Sequence, residues 1–384
     1  MSEAKSDIGN LYNFIREYNT ANEKAFSYLS GSWPDFEAWR LLARDKVIQS
    51  LHYFPEKAPL DPITLEVIQK DGYRQEEVEF SSGRNVRIRG TILIPEDGKE
   101  IHAAVVALHD HGGFYYYGKD KILEMDNQPK ILSEFKDSNY SGRSWANDLV
   151  QRGYVVLAID SFYFGSRKLD ISSVSDEMFG KITFRSLDGL EKGTDEYIQR
   201  HNGICYDFEV LLMKHILTAG TSWAGILSYD DRTSVDYLLS RKEVDKERIG
   251  CCGLSIGGFR SAMLAGTDPR IKASVITGWM PTMDSLLFDR LRNHTFMVYI
   301  MGLAKYMDYP DMLSTTCPNP LFIQQCIQDS LYHMNGMQAA CDKIKEIYQK
   351  ENVTGNFRSE FYDNGHQFNL TMQQDAFDWL DRFL

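Results

Sequence analysis

Arg248-Ile249-Gly250-Cys251-Cys252-Gly253-Leu254-Ser255-Ile256-Gly257-Gly258-Phe259 is the stretch on which the reading of this chain turns. It begins as a short apolar run, bends through a glycine-flanked turn with a serine at its tip, and continues into the helix-forming Arg260-Ser261-Ala262-Met263-Leu264-Ala265. Gly253-Leu254-Ser255-Ile256-Gly257 fits the pattern G-x-S-x-G in the strand–turn–helix setting that presents a serine hydroxyl for attack. The turn is tight and strained, and a side chain at either glycine would collide with neighbouring backbone. The helix that starts behind the serine aims unpaired N–H groups and the positive end of its dipole at the same point. Ser255 is thus the first candidate for chemistry. The alternative is a glycine-rich strand-to-helix turn with no chemistry in it.

Around that stretch, 384 residues are enough for two average domains or one large α/β domain with extensions. A hydrophobic content of 43%, with 12% aromatic and 25% charged residues, supplies ample core for a globular protein. The net charge of −12 argues against nucleic acid or an anionic membrane surface as a partner, since both repel an acidic protein. Six cysteines are too few for a disulfide scaffold; none has C-x-x-C spacing, so no metal is expected, and Cys251 and Cys252 read as small buried hydrophobes. Met1 to Asp7 lacks a basic region followed by an apolar run, and no apolar run approaches bilayer-spanning length, so a cytoplasmic location is expected.

In chain order, residues 8 to 53 carry helical periodicity: Ile8, Leu11, Phe14, Ile15 and Tyr18 share one face, and Phe36, Trp39, Leu42 and Val47 mark another. Pro55, Pro59 and Pro62 end this region, so residues 1–74 are expected as a helical extension and 75–384 as the main domain. Glu77–Phe80 and Val86–Ile94 alternate as half-exposed antiparallel strands do, whereas Ala103–Leu108 and Tyr154–Asp160 are apolar on both faces, as buried strands are. Three connections stand out as loop insertions, near 114–142, 161–200 and 286–313. Further strands are expected at Ala273–Thr277, from Leu321, and at Arg358–Tyr362, with helices between them and a closing helix at Gln374–Phe383. Buried strands alternating with helices predict a mainly parallel sheet covered on both faces.

A serine hydroxyl needs a base to take its proton, and the base needs a carboxylate to hold its tautomer. With the serine first in chain order, the base is sought downstream among His294, His333 and His366. His366, in the loop between the last strand and the closing helix, is placed to reach back over the carboxyl edge of the sheet. Asp329 follows the strand from Leu321 at its carboxyl end and is the favoured acid, with Asp363 and Asp284 as the other candidates. An oxyanion needs two preorganised N–H donors. The amide of Ile256 directly after the nucleophile is one, and the glycine-rich loop His109-Asp110-His111-Gly112-Gly113-Phe114 is expected to give the other from Gly113. His109-x-His111 could be a metal pair, but no third ligand is near it. Gly220-Thr221-Ser222-Trp223-Ala224 imitates the elbow, yet follows a helical pattern instead of a strand.

With these residues in place, the chain resembles the α/β-hydrolase superfamily, in its dienelactone hydrolase-like and acetyl xylan esterase-like branch. The resemblance rests on the helical lead-in to Asp71-Gly72-Tyr73, the hairpin ending Ile94-Pro95, and the His109–Gly113 loop. It rests above all on Asp231-Arg232-x-x-x-Asp236-Tyr237-Leu238 followed by Val244-Asp245-x-x-Arg248-Ile249-x-x-x-Gly253-x-Ser255-x-Gly257-Gly258. Members of this branch often carry His-Gly before the acid, where this chain has Gln324-Gln325-Cys326-Ile327-Gln328-Asp329. Dienelactone hydrolases proper use a cysteine nucleophile, and serine here favours an ordinary esterase. The resemblance implies an α/β-hydrolase fold and a serine hydrolase acting on a small-molecule carboxylic ester through Ser255, His366 and Asp329, with no cofactor. Peptide, thioester or carbon–carbon hydrolysis by the same triad, or a non-catalytic binding protein on this fold, are the other readings. Phe114 and Tyr115, with the Met-rich segment from Met297 to Met312, are expected to wall a substrate pocket suited to an apolar or aromatic acyl or alcohol group, or to pack as plain core. A homo-oligomer is compatible with the sequence.

Overall fold

The computed structural model describes residues 5–384; residues 1–4, which open both the expected extension and the stretch read for a targeting signal, lie outside them. The described residues are built around one nine-stranded sheet. Its strands are β1 (Ile63–Lys70), β2 (Tyr73–Gly83), β3 (Val86–Pro95), β4 (His102–Leu108), β5 (Val155–Ile159), β6 (Val244–Leu254), β7 (Ile271–Thr277), β8 (Leu321–Cys326) and β9 (Phe357–Tyr362). Their spatial order is β1-β2-β3-β5-β4-β6-β7-β8-β9. The first three strands and the β3–β5 pair are antiparallel; every pair from β5 to β9 is parallel. The chain goes outward from β4 to β5, then returns past β4 to β6, so the order reverses at β4. In such sheets the crevice beyond the carboxyl ends at the reversal is where ligands bind.

The patterns that fix these strands are local. β4 and β5 are buried along their whole length, as their unbroken apolar runs demand, and the run of β6 is buried from Ile249 onward. β2 alternates buried and half-buried residues, as expected of an antiparallel strand with one covered face. β3 departs from that expectation. It is buried on both faces from Gly90 onward, because its far half lies beside β5 under the Trp145–Gln151 helix. Helices cover both faces of the sheet, and each face has its own apolar cluster.

The 1–74 extension is shorter and less helical than the periodicity suggested. Tyr12–Thr20 and Phe36–Ser50 are helices, but residues 63–70 form β1, the edge strand of the sheet. The face carrying Leu11, Phe14 and Tyr18 is exposed instead of buried. The Phe36–Ser50 helix does pack, through Phe36, Trp39 and Val47, although Leu42 points outward. Its buried Arg44 donates to the carbonyls of Gly266 (3.0 Å) and Thr315 (2.8 Å), which ties it to the far end of the helix behind the elbow. The 161–200 insertion is not all loop: it holds a short helix at Asp176–Ile182 and the start of the long Asp195–Thr218 helix. The imitation elbow is a helix cap, with the Ser222 hydroxyl accepting from the amide of Gly225 (2.9 Å) at the head of the Trp223–Ser240 helix.

One ion pair anchors the elbow helix, Ile256–Thr267. Arg260 donates to both carboxylate oxygens of Asp231 at 2.5 and 3.0 Å, and both side chains are 1% exposed. The Asp231-Arg232-x-x-x-Asp236 run therefore has a structural meaning, since Asp236 in turn pairs with Arg270 just before β7. Burial pushes the Asp231 carboxyl up, and Arg260 opposes that shift. Removing one partner leaves the other charge buried and uncompensated. Asp231→Ala should lower the unfolding free energy by about 3–5 kcal/mol, read as a shift of the denaturant midpoint. The double variant Asp231→Leu/Arg260→Met should recover most of that loss; a double variant no better than the single one would show that the pair does more than cancel its own charges.

Candidate active site

The elbow stands where the sequence placed it. Ser255 has φ 60° and ψ −119°, a conformation that costs a non-glycine residue on the order of 1–3 kcal/mol and persists only where its surroundings impose it. The imposition is visible. The Ser255 amide donates to the Thr277 carbonyl at the end of β7 (2.9 Å), and its carbonyl accepts from the Phe259 amide (2.8 Å). A Cβ on Gly257, or on Gly253, would overlap the carbonyl of Leu108 at the end of β4. The turn thus passes in backbone contact with both neighbouring strands, and the serine at its tip is lifted clear of the sheet edge.

His366 and Asp329 come together on the next two strands. The loops after β8 and β9 are zipped by hydrogen bonds from the Ile327 amide to the Tyr362 carbonyl (2.9 Å) and from the Gln328 amide to the Asn364 carbonyl (3.1 Å). Asp329, buried, accepts from the Leu331 amide through Oδ1 (2.8 Å) and from His366 Nδ1 through Oδ2 (2.6 Å). A carboxylate only accepts, so Nδ1 carries the proton and the lone pair is on Nε2. Among the described residues that Nε2 has no partner, and the ring lies against Gly278, one residue beyond the carbonyl that holds Ser255. Ser255 and His366 line one cavity of about 820 Å³. The other acid candidates are elsewhere: Asp363 accepts from Gln328 on the surface (2.8 Å), and Asp284 accepts from Asn19 (3.2 Å).

The expected oxyanion donors divide. Ile256 is the first residue of its helix, so its amide has no partner within the helix, and it lines the cavity. Gly113 also lines the cavity, but its amide donates to His111 Nδ1 (3.0 Å). His111 in turn presents Nε2 to Glu209 (3.1 Å), which fixes the tautomer with its proton on Nε2. The two imidazoles of the His109-x-His111 pair are thus spent on separate contacts, for His109 accepts from the Ser161 amide (3.2 Å) and shares a hydrogen bond with the Asp110 carbonyl (2.8 Å).

The pocket walls differ from expectation. Phe114 packs with Tyr117 and Phe135 behind the loop, and Tyr115 is fully buried with its hydroxyl on Glu209 (2.7 Å). Neither lines the cavity, because the loop turns both rings into the core. Met297, Met307 and Met312 are core as well. The walls come from Trp279, Tyr299 and Tyr332 and from Tyr206 and Glu209 of the Asp195–Thr218 helix, with Arg292 and His294 also lining it. One of these had no local signal. Glu209 sits on an ordinary helix, and one of its oxygens gathers His111, Tyr115 and Thr295 from three segments. Burial alone would push its carboxyl up; those hydrogen bonds, His111's first, hold it below the usual range. His294, one of the three downstream histidines, has its imidazole pushed down by burial and bonds the Leu331 carbonyl (3.2 Å).

Comparison with known proteins agrees with this fold. The chain is 22% identical over 342 residues to the Bacillus subtilis protein named "Putative hydrolase YtaP", with 89% of this chain and 98% of that one covered. Among solved structures it is similar to a protein of Bacteroides fragilis titled "putative acetyl xylan esterase", with a TM-score of 0.71 at 18% identity over 94% of this chain and 84% of the other. It is also similar to a glucuronoyl esterase of Solibacter usitatus, with a TM-score of 0.62 at 11% identity over 93% and 96%. At those identities the structures establish a shared fold, the α/β-hydrolase fold. Residues 19–374 match the Abhydrolase family (Abhydrolase_7), and the chain belongs to that family.

Proposed function

We propose that this protein is a serine esterase that hydrolyses a carboxylic ester through an acyl-enzyme. The observation that carries the reading is the His366–Asp329 pair: a histidine oriented by a buried carboxylate, its Nε2 without a partner among the described residues, beside a cavity that a strained serine also lines. Ser255 Oγ attacks the ester carbonyl while His366 Nε2 takes its proton, and Asp329 stabilises the imidazolium that forms. The carbonyl oxygen becomes an oxyanion beside the Ile256 amide, at the positive end of the elbow helix, and a second amide from the Gly112–Gly113 pair completes its pocket. The tetrahedral intermediate collapses, His366 returns the proton to the leaving alcohol, and the acyl group stays on Ser255. Water, deprotonated by the same Nε2, then releases the acid and restores the hydroxyl.

The cavity is less apolar than an aromatic ester would ask. Tyr206, Glu209, Asn293, Thr295 and Tyr299 offer it hydroxyl, carboxylate and amide groups. Such a lining suits an alcohol portion with several hydroxyls, and acetyl xylan, after which one structural neighbour is named, is an ester of an alcohol of that kind.

Ser255→Ala should abolish turnover of a short p-nitrophenyl ester with the circular dichroism spectrum unchanged, and retained turnover would end the proposal. Asp329→Asn, which keeps the shape but loses the charge that sets the tautomer, should lower kcat on the order of 10³–10⁴-fold. On a panel of acetyl esters at equal leaving-group reactivity, acetylated sugars should give the higher kcat/KM; a preference for aryl or long alkyl alcohols would contradict the polyol assignment.

A further inference from the structure

We propose that Lys121 is a positioning residue for this reaction: its ammonium, beneath the 109–113 loop, holds two carbonyls of that loop and so turns the Gly112 amide toward Ser255 as the second oxyanion donor. The inference rests on the ester-hydrolysis reading and adds to it the donor and the group that aims it.

Lys121 ends a short 3-10 turn, Lys119–Lys121, and is fully buried. Its Nζ donates to the carbonyls of Asp110 and His111, the latter at 3.1 Å. The Asp110 carboxylate lies 3.8 Å away and is shared with the Tyr140 hydroxyl. The faces of Phe164 (4.7 Å to the ring centre) and Phe135 (5.6 Å) enclose the rest of the ammonium. A buried lysine charge is costly, and this one is directed at the backbone of the loop that faces the nucleophile.

A trans peptide sets the consequence. Its C=O and N–H point in opposite directions, so drawing the His111 carbonyl down onto Nζ sends the Gly112 N–H the other way. The same carbonyl also accepts from the Phe114 amide (3.0 Å), which fixes the plane from a second side. Gly112 lines the cavity, and among the described residues its amide has no hydrogen-bond partner. The Gly113 amide is held by His111. Gly112 must be glycine for this: φ is +54°, and a Cβ would meet the Phe135 ring at 2.5 Å and the Asp110 carboxylate at 2.6 Å.

The charge that does the holding titrates. Burial pushes the Lys121 ammonium down to about 8; Asp110, Asp160 and Asp120 oppose that shift and Arg260 adds to it. His109 and Tyr140, both buried, are the other titratable groups around it, the first coupled to Lys121 directly and the second through Asp110. The protonated form holds the carbonyls more strongly than the neutral amine does, so the grip is full below about pH 8 and weakens as the pH rises above it.

The test is the pH profile of ester turnover for the wild-type protein and Lys121→Met between pH 6 and 10. Wild-type kcat should hold to about pH 8 and then fall. Lys121→Met should lose roughly a hundredfold in kcat with KM little changed, the loss that follows removal of one oxyanion donor, and should lack the alkaline fall. A variant with wild-type kcat, or one that keeps the same alkaline fall, would overturn the inference. Wild-type protein that fails to turn over any ester would overturn the underlying reading instead. Should Lys121→Met not fold, the wild-type protein decides alone: a boronic acid that forms a tetrahedral adduct on Ser255 should shift the Gly112 amide proton strongly downfield in an NMR spectrum at pH 7. A shift confined to Gly113 would overturn the assignment.

Discussion

The candidate active site depends on one close approach of backbones. The turn between β6 and its helix runs against the carbonyl of Leu108 on one side and bonds the carbonyl of Thr277 on the other. These contacts are possible because β4, β6 and β7 are in parallel register, with Leu108 beside Gly253 and Leu254 beside Thr277. No side chain at 253 or 257 fits the gap, and the strain that results is concentrated on Ser255. The reactive geometry is thus a property of three strands together, and the pentapeptide supplies only the residues that tolerate it.

Around this point the chain buries charge to hold backbone. Arg260 and Asp231 anchor the elbow helix from below. Asp160, at the end of β5, accepts from the amides of Lys119 (2.9 Å) and Ser166 (3.0 Å), and so pins the start of the turn that carries Lys121. Glu209 collects the His111 ring, the Tyr115 hydroxyl and the Thr295 hydroxyl at the cavity wall. Each of these groups joins segments distant in sequence, and each is costly to leave unpaired. The loops that face the reacting atoms therefore share the rigidity of the core, which preorganised donors require.

What the sequence shows well is whatever a short window decides. The unbroken apolar runs of β4 and β5, the elbow, and the place of His366 between the last strand and helix are all such features, and the structure agrees with each. What it shows poorly is settled by long-range pairing. β1 was hidden among prolines and charged residues, because an exposed edge strand needs no buried face of its own. Leu11, Phe14 and Tyr18 kept a helical period yet stay exposed, since periodicity marks a helix without naming what covers it. Phe114 and Tyr115 looked like pocket walls because they follow the glycine-rich 109–113 loop, but the loop turns them inward. The choice of Asp329 over Asp363 and Asp284 depended on which carboxylate the β8–β9 zipper brings under the imidazole. Glu209 and Lys121 gave no local sign at all, for their roles exist only across the fold.

The measurement that bears most directly on this account is a crystal structure of the protein after reaction with an alkyl fluorophosphonate. The account predicts phosphorus bonded to Ser255 Oγ, a phosphonyl oxygen about 3 Å from the Ile256 amide and from one amide of the Gly112–Gly113 loop, and His366 Nε2 turned toward the adduct. Unmodified Ser255, or an adduct whose oxygen points away from both amides, would contradict it.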